Sequence, residues 1–204
     1  VLLIALAGAY WFHFRLEEVS IYIPGLGDVF VGIWFMPIFV VTMLATFSTG
    51  VIDGLDGLSG GVFATIFAAY GGIAFFQGQI DLAAFSAVLL GSLLAFLWYN
   101  IPPARFYMGE TGILGLTTTL TVIAFLTNSF IVLPIIAFVP AVEAASVIIQ
   151  LLSKRFRGKK VLLVAPLHHH LEAIGWPSYK VTMRFWVISI VFAIIGMVVA
   201  LVGR

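Results

Sequence analysis

The chain has 204 residues, of which 62% are hydrophobic and 9% are charged. Soluble globular domains carry about 25% charged residues, so this composition excludes a soluble globular domain and indicates a protein solvated by a lipid bilayer. The net charge of +1 distinguishes no class of partner, while the lack of cysteine excludes disulfides, thiolate nucleophiles and cysteine-ligated metals.

Seven apolar segments follow one another along the chain. The first, 1–12, is shorter than the ~20 residues that span a hydrocarbon core, so we interpret it as part of a transmembrane helix and expect the chain to be a fragment. Pro134 and Pro140 predict a broken helix in the sixth segment. The sequence thus predicts one all-α, polytopic membrane domain over residues 1–204, with about seven transmembrane helices of which the first is partial. The six further segments are 33–48, 60–76, 82–98, 113–126, 130–152 and 183–202.

Polar connectors separate these segments, and their basic residues alternate along the chain. One set of connectors carries two Lys or Arg residues, Arg15 and Arg204, whereas the other carries eight when Arg184 at the start of the last segment is included. The positive-inside rule places the second set in the cytoplasm, and strict alternation across seven helices assigns the same sides. The first set comprises 14–32, 77–81, 128–129 and the C-terminus, and the second comprises 49–59, 100–112 and 153–182.

The first predicted cytoplasmic connector contains two aspartates, Asp53 and Asp56, among glycines. In a helix their i,i+3 spacing would put both on one face. Two close carboxylates repel each other unless a cation or a proton lies between them, and Mg²⁺ suits such oxygen ligands. The alternative is that both aspartates are N-caps of the helix predicted at 60–76.

The second connector offers four candidate side chains. Glu110 immediately precedes a predicted helix, where a carboxylate either serves chemistry or simply complements the helix dipole. Asn100 is either a ligand group or an amide at a helix end. Arg105 fits a positive-inside anchor, and Tyr107 either stacks on a base or is an ordinary aromatic residue of the membrane interface.

The third connector contains a basic run from Lys154 to Lys160 and three consecutive histidines, His168, His169 and His170. The basic run fits contact with lipid headgroups and could also attract an anionic phosphate substrate. Adjacent side chains on a helix point about 100° apart, so three neighbouring histidines cannot bind one ion from a helix. The pattern therefore favours anion recognition by one or two rings over a zinc site.

Glu143 lies inside the helix predicted at 130–152. A charged side chain facing lipid costs a few kcal/mol, so we expect this carboxylate to face protein or a cavity. Structural and functional roles both remain open for it.

Three stretches, 53–58, 106–112 and 165–177, resemble motifs of the phospho-N-acetylmuramoyl-pentapeptide transferases, in the polyprenyl-phosphate N-acetylhexosamine-1-phosphate transferase superfamily (glycosyltransferase family 4). The run 184–186, Arg-Phe-Trp, is also family-like. The resemblance covers nearly the whole chain and about the C-terminal two thirds of a family member. The consecutive histidines after Ala-Pro-Leu point to the muramoyl-pentapeptide branch rather than to its N-acetylglucosamine relatives.

The resemblance implies a reaction, a cofactor and a location. A phospho-sugar would pass from UDP-N-acetylmuramoyl-pentapeptide to undecaprenyl phosphate, giving UMP and the first lipid-linked peptidoglycan precursor, with Mg²⁺ as the cofactor. The protein would be a multi-pass protein of the bacterial inner (plasma) membrane, among membrane lipids, with its active site in the cytoplasm. No nucleic-acid partner is expected, and a homodimer remains open.

The resemblance also implies roles for particular residues. Asp53, Asp56 and Glu110 match catalytic positions, with Asp53 and Glu110 as metal ligands. The remaining matches imply substrate binding. Tyr107 falls at the aromatic position associated with the uracil ring, and the other substrate-binding matches are Asn100, His168, His169 and His170.

The chain departs from the family pattern at several positions. Gly50 and Phe47 stand where the family commonly has asparagines, and Glu110 replaces the usual aspartate. The family's adjacent pair of aspartates, from an earlier cytoplasmic loop, has no counterpart here. We therefore expect these 204 residues alone to be inactive.

Two other classes of function compete with a transferase. A transporter should carry charges near the bilayer midplane, where Glu143 is the single candidate. A catalytically inactive membrane scaffold is harder to exclude, because Phe47, Gly50 and Glu110 depart from the family at functional positions. Release of UMP would separate the enzyme from the scaffold.

Overall fold

The chain folds into a helical bundle, and the computed structural model describes residues 1–203. The all-α class predicted from the apolar segments is confirmed. Short 3₁₀ helices at Gly32–Trp34, Thr49–Ile52 and Phe130–Val132 precede or follow the main elements. The main elements are α1 (Leu2–Phe14), β1 (Ser20–Ile23), β2 (Gly27–Phe30), α2 (Phe35–Ser48), α3 (Leu58–Phe76), α4 (Ile80–Asn100), α5 (Gly109–Leu126), α6 (Leu133–Ile136), α7 (Phe138–Arg157), α8 (Leu167–Ala173) and α9 (Ser178–Val202).

All seven predicted apolar segments are helical over most of their length. Within residues 1–203, five helical stretches are long and apolar enough to span a membrane: Gly32–Ile52, which includes α2, and α3, α4, α5 and α9. The bent pair α6 and α7 makes a sixth if it crosses as one span. α1 is apolar but has 13 residues, fewer than the ~20 that a bilayer core requires. The prediction of a polytopic helical membrane protein is therefore confirmed.

The break predicted near Pro134 and Pro140 is confirmed as well. The helical stretches on its two sides meet at 83°, and Ala137 between them has φ −97° and ψ 38°. Pro140 has no backbone N–H to donate to Ile136, and its ring would clash with that carbonyl in a continuous helix. The bend redirects α7, which carries Glu143.

The connector 14–32 contains a β-hairpin that the segment pattern does not predict. β1 pairs antiparallel with β2 from Ser20 opposite Phe30 to Ile23 opposite Gly27. Gly25 and Gly27 in the turn region have φ of +82°, a left-handed conformation that glycine adopts without a Cβ penalty. Strands of four residues show too few alternations for a clear period-2 pattern, so the hairpin escapes sequence analysis.

The third connector, predicted at 153–182, contains more helix than expected. α7 continues to Arg157, so part of the basic run lies on its last turn, where the helix dipole favours cations. Gly158 ends that helix with φ +63°. α8 contains the histidines, and α9 begins at Ser178 rather than at position 183. The predicted boundaries were wrong because polar helix ends carry little of the apolar signal that locates the segments.

α3 occupies the centre of the bundle. The spanning part of α3 is 72% buried, against 22% for α4 and 28% for α9, its two main neighbours. Phe63, Phe67 and Tyr70 on α3 are fully buried. Gly61 admits the indole of Trp186 from α9, since a Cβ at this position would overlap the ring. α3 therefore fixes the position of α9, which supports the connector that precedes α3.

The connectors gather in two groups at opposite ends of the bundle, because α3, α4 and α5 each run from one group to the other. We call the group formed by 49–59, 100–112 and 153–182 the site end, where the Gly109 N–H donates to Asp53. We call the group formed by 14–32, 77–81 and 128–129 the hairpin end, where the Tyr22 N–H donates to Asn128. This grouping agrees with the alternation predicted from the basic residues.

Candidate active site

The segment that carries the two aspartates is a turn rather than a helix. The 3₁₀ helix Thr49–Ile52 ends just before Asp53, which has φ −78° and ψ 58°. Gly57 has φ +75° and immediately precedes α3. A left-handed residue interrupts a right-handed helix. The helical face assumed for Asp53 and Asp56 is therefore wrong.

The two carboxylates instead reach different parts of the second connector. Asp53 accepts hydrogen bonds from the Ser59 hydroxyl at 2.6 Å and from the Gly109 backbone N–H at 3.2 Å. Asp56 accepts one from the Ala104 backbone N–H at 3.0 Å. The N-cap of α3 is Gly57, with no side-chain capping bond. The alternative reading of the aspartates as helix N-caps is thus contradicted.

Asn100 ties the first connector to the second. Its Oδ1 accepts the Gly57 backbone N–H at 3.0 Å, and its Nδ2 donates to the Phe106 carbonyl at 2.9 Å. The side chain is only 2% exposed, so it offers a ligand little surface. Its contacts give Asn100 the role of holding the aspartate turn, rather than the direct substrate contact expected for it.

α9 supports the aspartate turn from the other side, through residues to which sequence analysis assigned no role. Trp186 donates from Nε1 to the Gly57 carbonyl at 3.0 Å, and Thr182 donates to the Asp56 carbonyl at 3.2 Å. Trp186 belongs to the family-like run 184–186, and this run was the one signal that could have identified it. Thr182 gave no such signal.

Glu110 and Tyr107 lie on the open side of the second connector. Glu110 is exposed in the first turn of α5, a helix without a side-chain cap. The carboxylate therefore makes no capping hydrogen bond, although it lies where the helix dipole favours an anion. Tyr107 is 68% exposed, so its ring is free to stack against a planar ligand.

The three histidines of α8 have three different environments. His168 is fully buried, and its Nδ1 lies 3.0 Å from Glu143 Oε2. His169 is 40% exposed, with Nδ1 2.8 Å from Glu172 Oε2. His170 accepts the Leu163 backbone N–H at Nδ1, at 3.3 Å. The three Nδ1 atoms thus have three different hydrogen-bond partners.

The first two histidines face the aspartate turn. A Cβ added at Gly54 would collide with His168 Nε2 and lie 3.3 Å from His169 Nε2. Gly54 adjoins Asp53, so carboxylate and imidazole groups meet at one place. Gly54 was noted only as a glycine flanking the aspartates, and its contact with α8 has no local signature in the sequence.

Glu143 faces protein, as predicted, because it is fully buried against His168. Glu172, on α8, accepts hydrogen bonds from Ser178 at 2.6 Å and from His169. Burial raises the pKa of Glu172, but these two hydrogen bonds and the nearby histidines lower it further, so the net pKa lies below its usual value of 4.5. This carboxylate is therefore held in its charged form.

Gln150 organises the path between α7 and α8. Its Oε1 accepts the backbone N–H groups of Val161 and Leu162, each at 3.0 Å, and its Nε2 donates to the Leu162 carbonyl at 2.9 Å. Ser153 donates to the Lys159 carbonyl at 2.9 Å. These buried contacts fold the basic segment back on α7, a role that sequence analysis did not assign to Gln150.

Asp53 and Glu110 lie on backbone segments that meet, as two ligands of one divalent cation would have to. Asp53 bonds the backbone N–H of Gly109, the residue before Glu110, so both carboxylates belong to adjoining backbone segments. In the described part of the chain, no three His, Asp or Glu side chains gather closely enough to hold a metal by themselves. Mg²⁺ usually takes one or two protein carboxylates and completes its shell with water and substrate phosphates. Asp53 and Glu110 fit such a site.

Comparison with known proteins reveals relatives along nearly the whole chain. Residues 1–128 match the family described as glycosyl transferase family 4. The phospho-N-acetylmuramoyl-pentapeptide-transferase of Anoxybacillus flavithermus is 41% identical over 96% of this chain and 61% of the relative. Proteins of the same name from Bacillus licheniformis and Levilactobacillus brevis are each 39% identical, over 96% and 90% of this chain. The chain spans about three fifths of the length of these curated relatives.

Proposed function

The chain belongs to glycosyl transferase family 4, and we propose that the complete protein transfers phospho-N-acetylmuramoyl-pentapeptide from its UDP-linked donor to undecaprenyl phosphate. The single observation that carries the proposal is the meeting of three connectors at the site end. Asp53 bonds Gly109 in the second connector, and Gly54 lies against His168 and His169 in the third. Carboxylates and imidazoles thus meet at one place.

The reaction exchanges one phosphoanhydride bond for another. A phosphate oxygen of the acceptor forms a bond to the sugar-bearing phosphorus of the donor, while the bond from that phosphorus to UMP breaks. Such a transfer needs charge neutralisation and positioning more than covalent help from the protein. We assign the imidazoles of His168 and His169 to the donor phosphates, and Tyr107 to the uracil ring.

Mg²⁺, bound by Asp53 and Glu110, would neutralise charge on the phosphates. The protein groups around it hold these ligands in place. Ser59 and Gly109 fix the Asp53 carboxylate from two sides, and Asn100 fixes the turn through Gly57. Asp56 keeps one oxygen on the Ala104 N–H, and we assign its other oxygen to the site.

An apolar cleft supports the assignment of a prenyl phosphate as acceptor. The cleft has a volume of about 420 Å³ and lies between α2 and the bent pair α6 and α7. Its lining is almost entirely apolar, with small threonine and serine side chains along α2. At one end it reaches Thr49, four residues before Asp53, so a prenyl chain in the cleft would bring its phosphate to the aspartate turn.

The charge of the site end supports a cytoplasmic location and an anionic donor. A soluble nucleotide sugar and a membrane-embedded acceptor can meet only at the membrane surface, and basic side chains raise the local concentration of an anion. The site end carries eight Lys and Arg residues, including Arg184. We therefore place the reaction at the cytoplasmic face of the bacterial inner membrane.

The decisive assay measures UMP release by the full-length protein with undecaprenyl phosphate and Mg²⁺. We expect release with UDP-N-acetylmuramoyl-pentapeptide and far less with UDP-N-acetylglucosamine. The opposite preference would reassign the protein to the N-acetylglucosamine-1-phosphate transferases. No UMP from either donor, in correctly folded protein, would favour an inactive scaffold. Omission of Mg²⁺ in the same assay tests the cofactor.

The sidedness needs a separate experiment. Lys159, at the site end, and Leu26, which is 79% exposed in the hairpin, are matched exposed positions. A single cysteine at Leu26 should react with an impermeant reagent applied to intact cells, whereas one at Lys159 should react only after lysis. Labelling in the reverse pattern would move the site end to the outer face and overturn the cytoplasmic assignment.

A further inference from the structure

Glu143 is the only fully buried aspartate or glutamate within residues 1–203. All hydrogen bonds of its carboxylate go to one residue, His168. Its carboxylate accepts the His168 backbone N–H at 3.1 and 3.4 Å and lies 3.0 Å from Nδ1. A buried carboxylate is costly unless its oxygens are paired. Pairing with His168 therefore offsets the cost of burying this carboxylate.

The contact with Glu143 decides which nitrogen of His168 is available. A carboxylate cannot donate when ionised, so His168 Nδ1 must carry the proton between them. The other nitrogen, Nε2, is buried and has no hydrogen-bond partner in the described chain. Buried polar atoms are almost always bonded, so this nitrogen has hydrogen-bonding capacity left for a group that the chain does not supply.

The unpaired nitrogen points at the aspartate turn. A Cβ at Gly54 would collide with His168 Nε2, so glycine is what allows the ring to lie this close to the aspartate turn. His169 is arranged in the same way, with Nδ1 on Glu172 and Nε2 near Gly54. The two ring centroids are 4.2 Å apart. Two carboxylate–imidazole pairs thus present their outer nitrogens to one spot beside Asp53.

We infer that Glu143 is a positioning residue, which holds the His168 ring so that Nε2 bonds a phosphate oxygen of the nucleotide-sugar donor over Gly54. The inference rests on the proposed phospho-sugar transfer. Glu143 touches no substrate and acts only through His168. When Nε2 carries a proton, Glu143 balances the imidazolium charge on one side while the ring donates to the phosphate on the other.

A double-mutant cycle in the full-length protein separates positioning from general structural support. Glu143→Gln should lower kcat/KM by about tenfold, as loss of an orienting partner typically does, chiefly by raising KM for the nucleotide sugar. In an His168→Ala background the same substitution should cost less than about twofold, because coupled residues are not additive. Equal losses in both backgrounds would show that Glu143 supports the fold and not His168.

The matched controls use the other carboxylates and the other substrate. Asp81→Asn, an acid-to-amide change at the hairpin end, should leave kcat and KM unchanged. KM for undecaprenyl phosphate should be unaffected by Glu143→Gln. Glu143→Asp keeps the charge and should recover part of the loss. If Glu143→Asp and Glu143→Gln were equally impaired, charge on this residue would be irrelevant and the inference would fail.

A spectroscopic readout makes the inference independent of activity and of variant folding. In unmodified protein labelled with ¹⁵N-histidine, the His168 signal should show Nδ1 protonated in the absence of substrate, and adding nucleotide sugar should shift Nε2. A neutral ring protonated only at Nε2 would overturn the inference even if UMP is released. If UMP release fails but the Nδ1 signal is found, the proposed function is wrong while the Glu143–His168 geometry holds.

Discussion

The two ends of the bundle carry the same number of acidic residues but very different numbers of basic residues. Four aspartates or glutamates belong to the hairpin end and four to the site end, whereas the hairpin end carries one basic residue, Arg15, against seven at the site end, with Arg184 as an eighth just beyond it. The charge asymmetry therefore comes entirely from Lys and Arg. Acidic residues alone do not mark the functional end, because their role depends on what surrounds them.

Asparagine ties connectors together at both ends. Asn100 bonds the Gly57 N–H and the Phe106 carbonyl at the site end. Asn128 accepts the Tyr22 N–H at 3.0 Å at the hairpin end and donates to Asp28 at 3.4 Å. An asparagine side chain thus joins separate connectors by hydrogen bonds at each end of the bundle. What distinguishes the site end is that the turn held by Asn100 carries Asp53 and Asp56.

Glutamates at the two ends have opposite pKa shifts. Burial raises the pKa of Glu18 at the hairpin end, and the nearby Asp28 raises it further. Burial also raises the pKa of Glu172, but hydrogen bonds from Ser178 and His169 outweigh it, so the pKa is lowered. Nothing offsets the effect of burial on the pKa of Glu18, whereas hydrogen bonds do so for Glu172.

The largest expected effect concerns Asp53. Asp53→Asn in the full-length protein should lower UMP release by at least ~100-fold, because it removes charge from the proposed metal site and weakens the bonds to Ser59 and Gly109. Asp81→Asn at the hairpin end is the matched control and should leave the rate unchanged. Comparable losses in the two variants would show that the rate follows general stability, and would remove the distinction between the ends.

The alanine variants of the three histidines should differ in their loss of kcat/KM, according to the contacts that each ring makes. His168→Ala and His169→Ala should each lower kcat/KM for the nucleotide sugar by roughly tenfold to a hundredfold. This range corresponds to the loss of one hydrogen bond to a charged group, which contributes about 1.5–3 kcal/mol. His170→Ala should cost less, because His170 bonds the Leu163 backbone. Steady-state kinetics of the three variants measure the ranking. Equal effects would contradict the separate roles seen in α8.

Glu110 should affect the Mg²⁺ concentration that activity requires and leave the stability of the fold unchanged. Glu110→Gln should raise the Mg²⁺ concentration for half-maximal activity by about tenfold, the lower range for weakening a metal site. A titration of UMP release against Mg²⁺ measures the shift, and thermal unfolding without metal should be unchanged. An unaltered rate and an unaltered Mg²⁺ requirement would assign this carboxylate to the helix dipole alone.

The two asparagines test whether equal structural ties have unequal functional consequences. Asn100→Ala should cost about 1–3 kcal/mol of stability, because it leaves the Gly57 N–H and the Phe106 carbonyl unpaired. Asn128→Gly should cost a similar amount, with glycine chosen because φ is +47° at this position. Only Asn100→Ala should also lower turnover. Unfolding midpoints and UMP release, measured together, check the difference.

The smallest effect is a pair of opposite pH dependences. The stabilising contribution of Glu172 should be present above its ordinary value of 4.5 and be lost as the pH falls through its lowered pKa. The contribution of Glu18 should be present below 4.5 and be lost as the pH rises through its raised pKa. Compared with the unsubstituted protein at the same pH, Glu172→Gln should therefore be least stable near neutral pH. Glu18→Gln should be most stable there by the same comparison.

Melting temperatures between about pH 4 and 7 should reveal these trends as differences of about 2 °C or less, given the small shift in Tm expected per change in stability for a chain of this size. Trends of the same sign for the two variants would contradict the opposite pKa shifts. The opposite order, with Glu18→Gln destabilised near neutral pH, would assign donors to the hairpin end.

Much of the fold follows from local signals in the sequence. Apolar segments of adequate length located the helices, and two prolines located the break in the sixth segment. The ends of the helices were less well predicted, because α7 and α9 extend into polar sequence. The hairpin and α8 were missed, since elements of four to seven residues carry too few periods to stand out.

The sequence by itself determined the composition of the site: Asp53, Asp56, Glu110 and the three histidines all lie in connectors that one alternation of charge assigns to the same end. Only the tertiary structure decided how these groups face one another. It separated the two aspartates, turned Asn100 inward and paired Glu143 with His168, 25 positions further along. The physical reason is range: hydropathy and periodicity act between near neighbours, whereas a hydrogen-bond partner is chosen by the packing of distant helices.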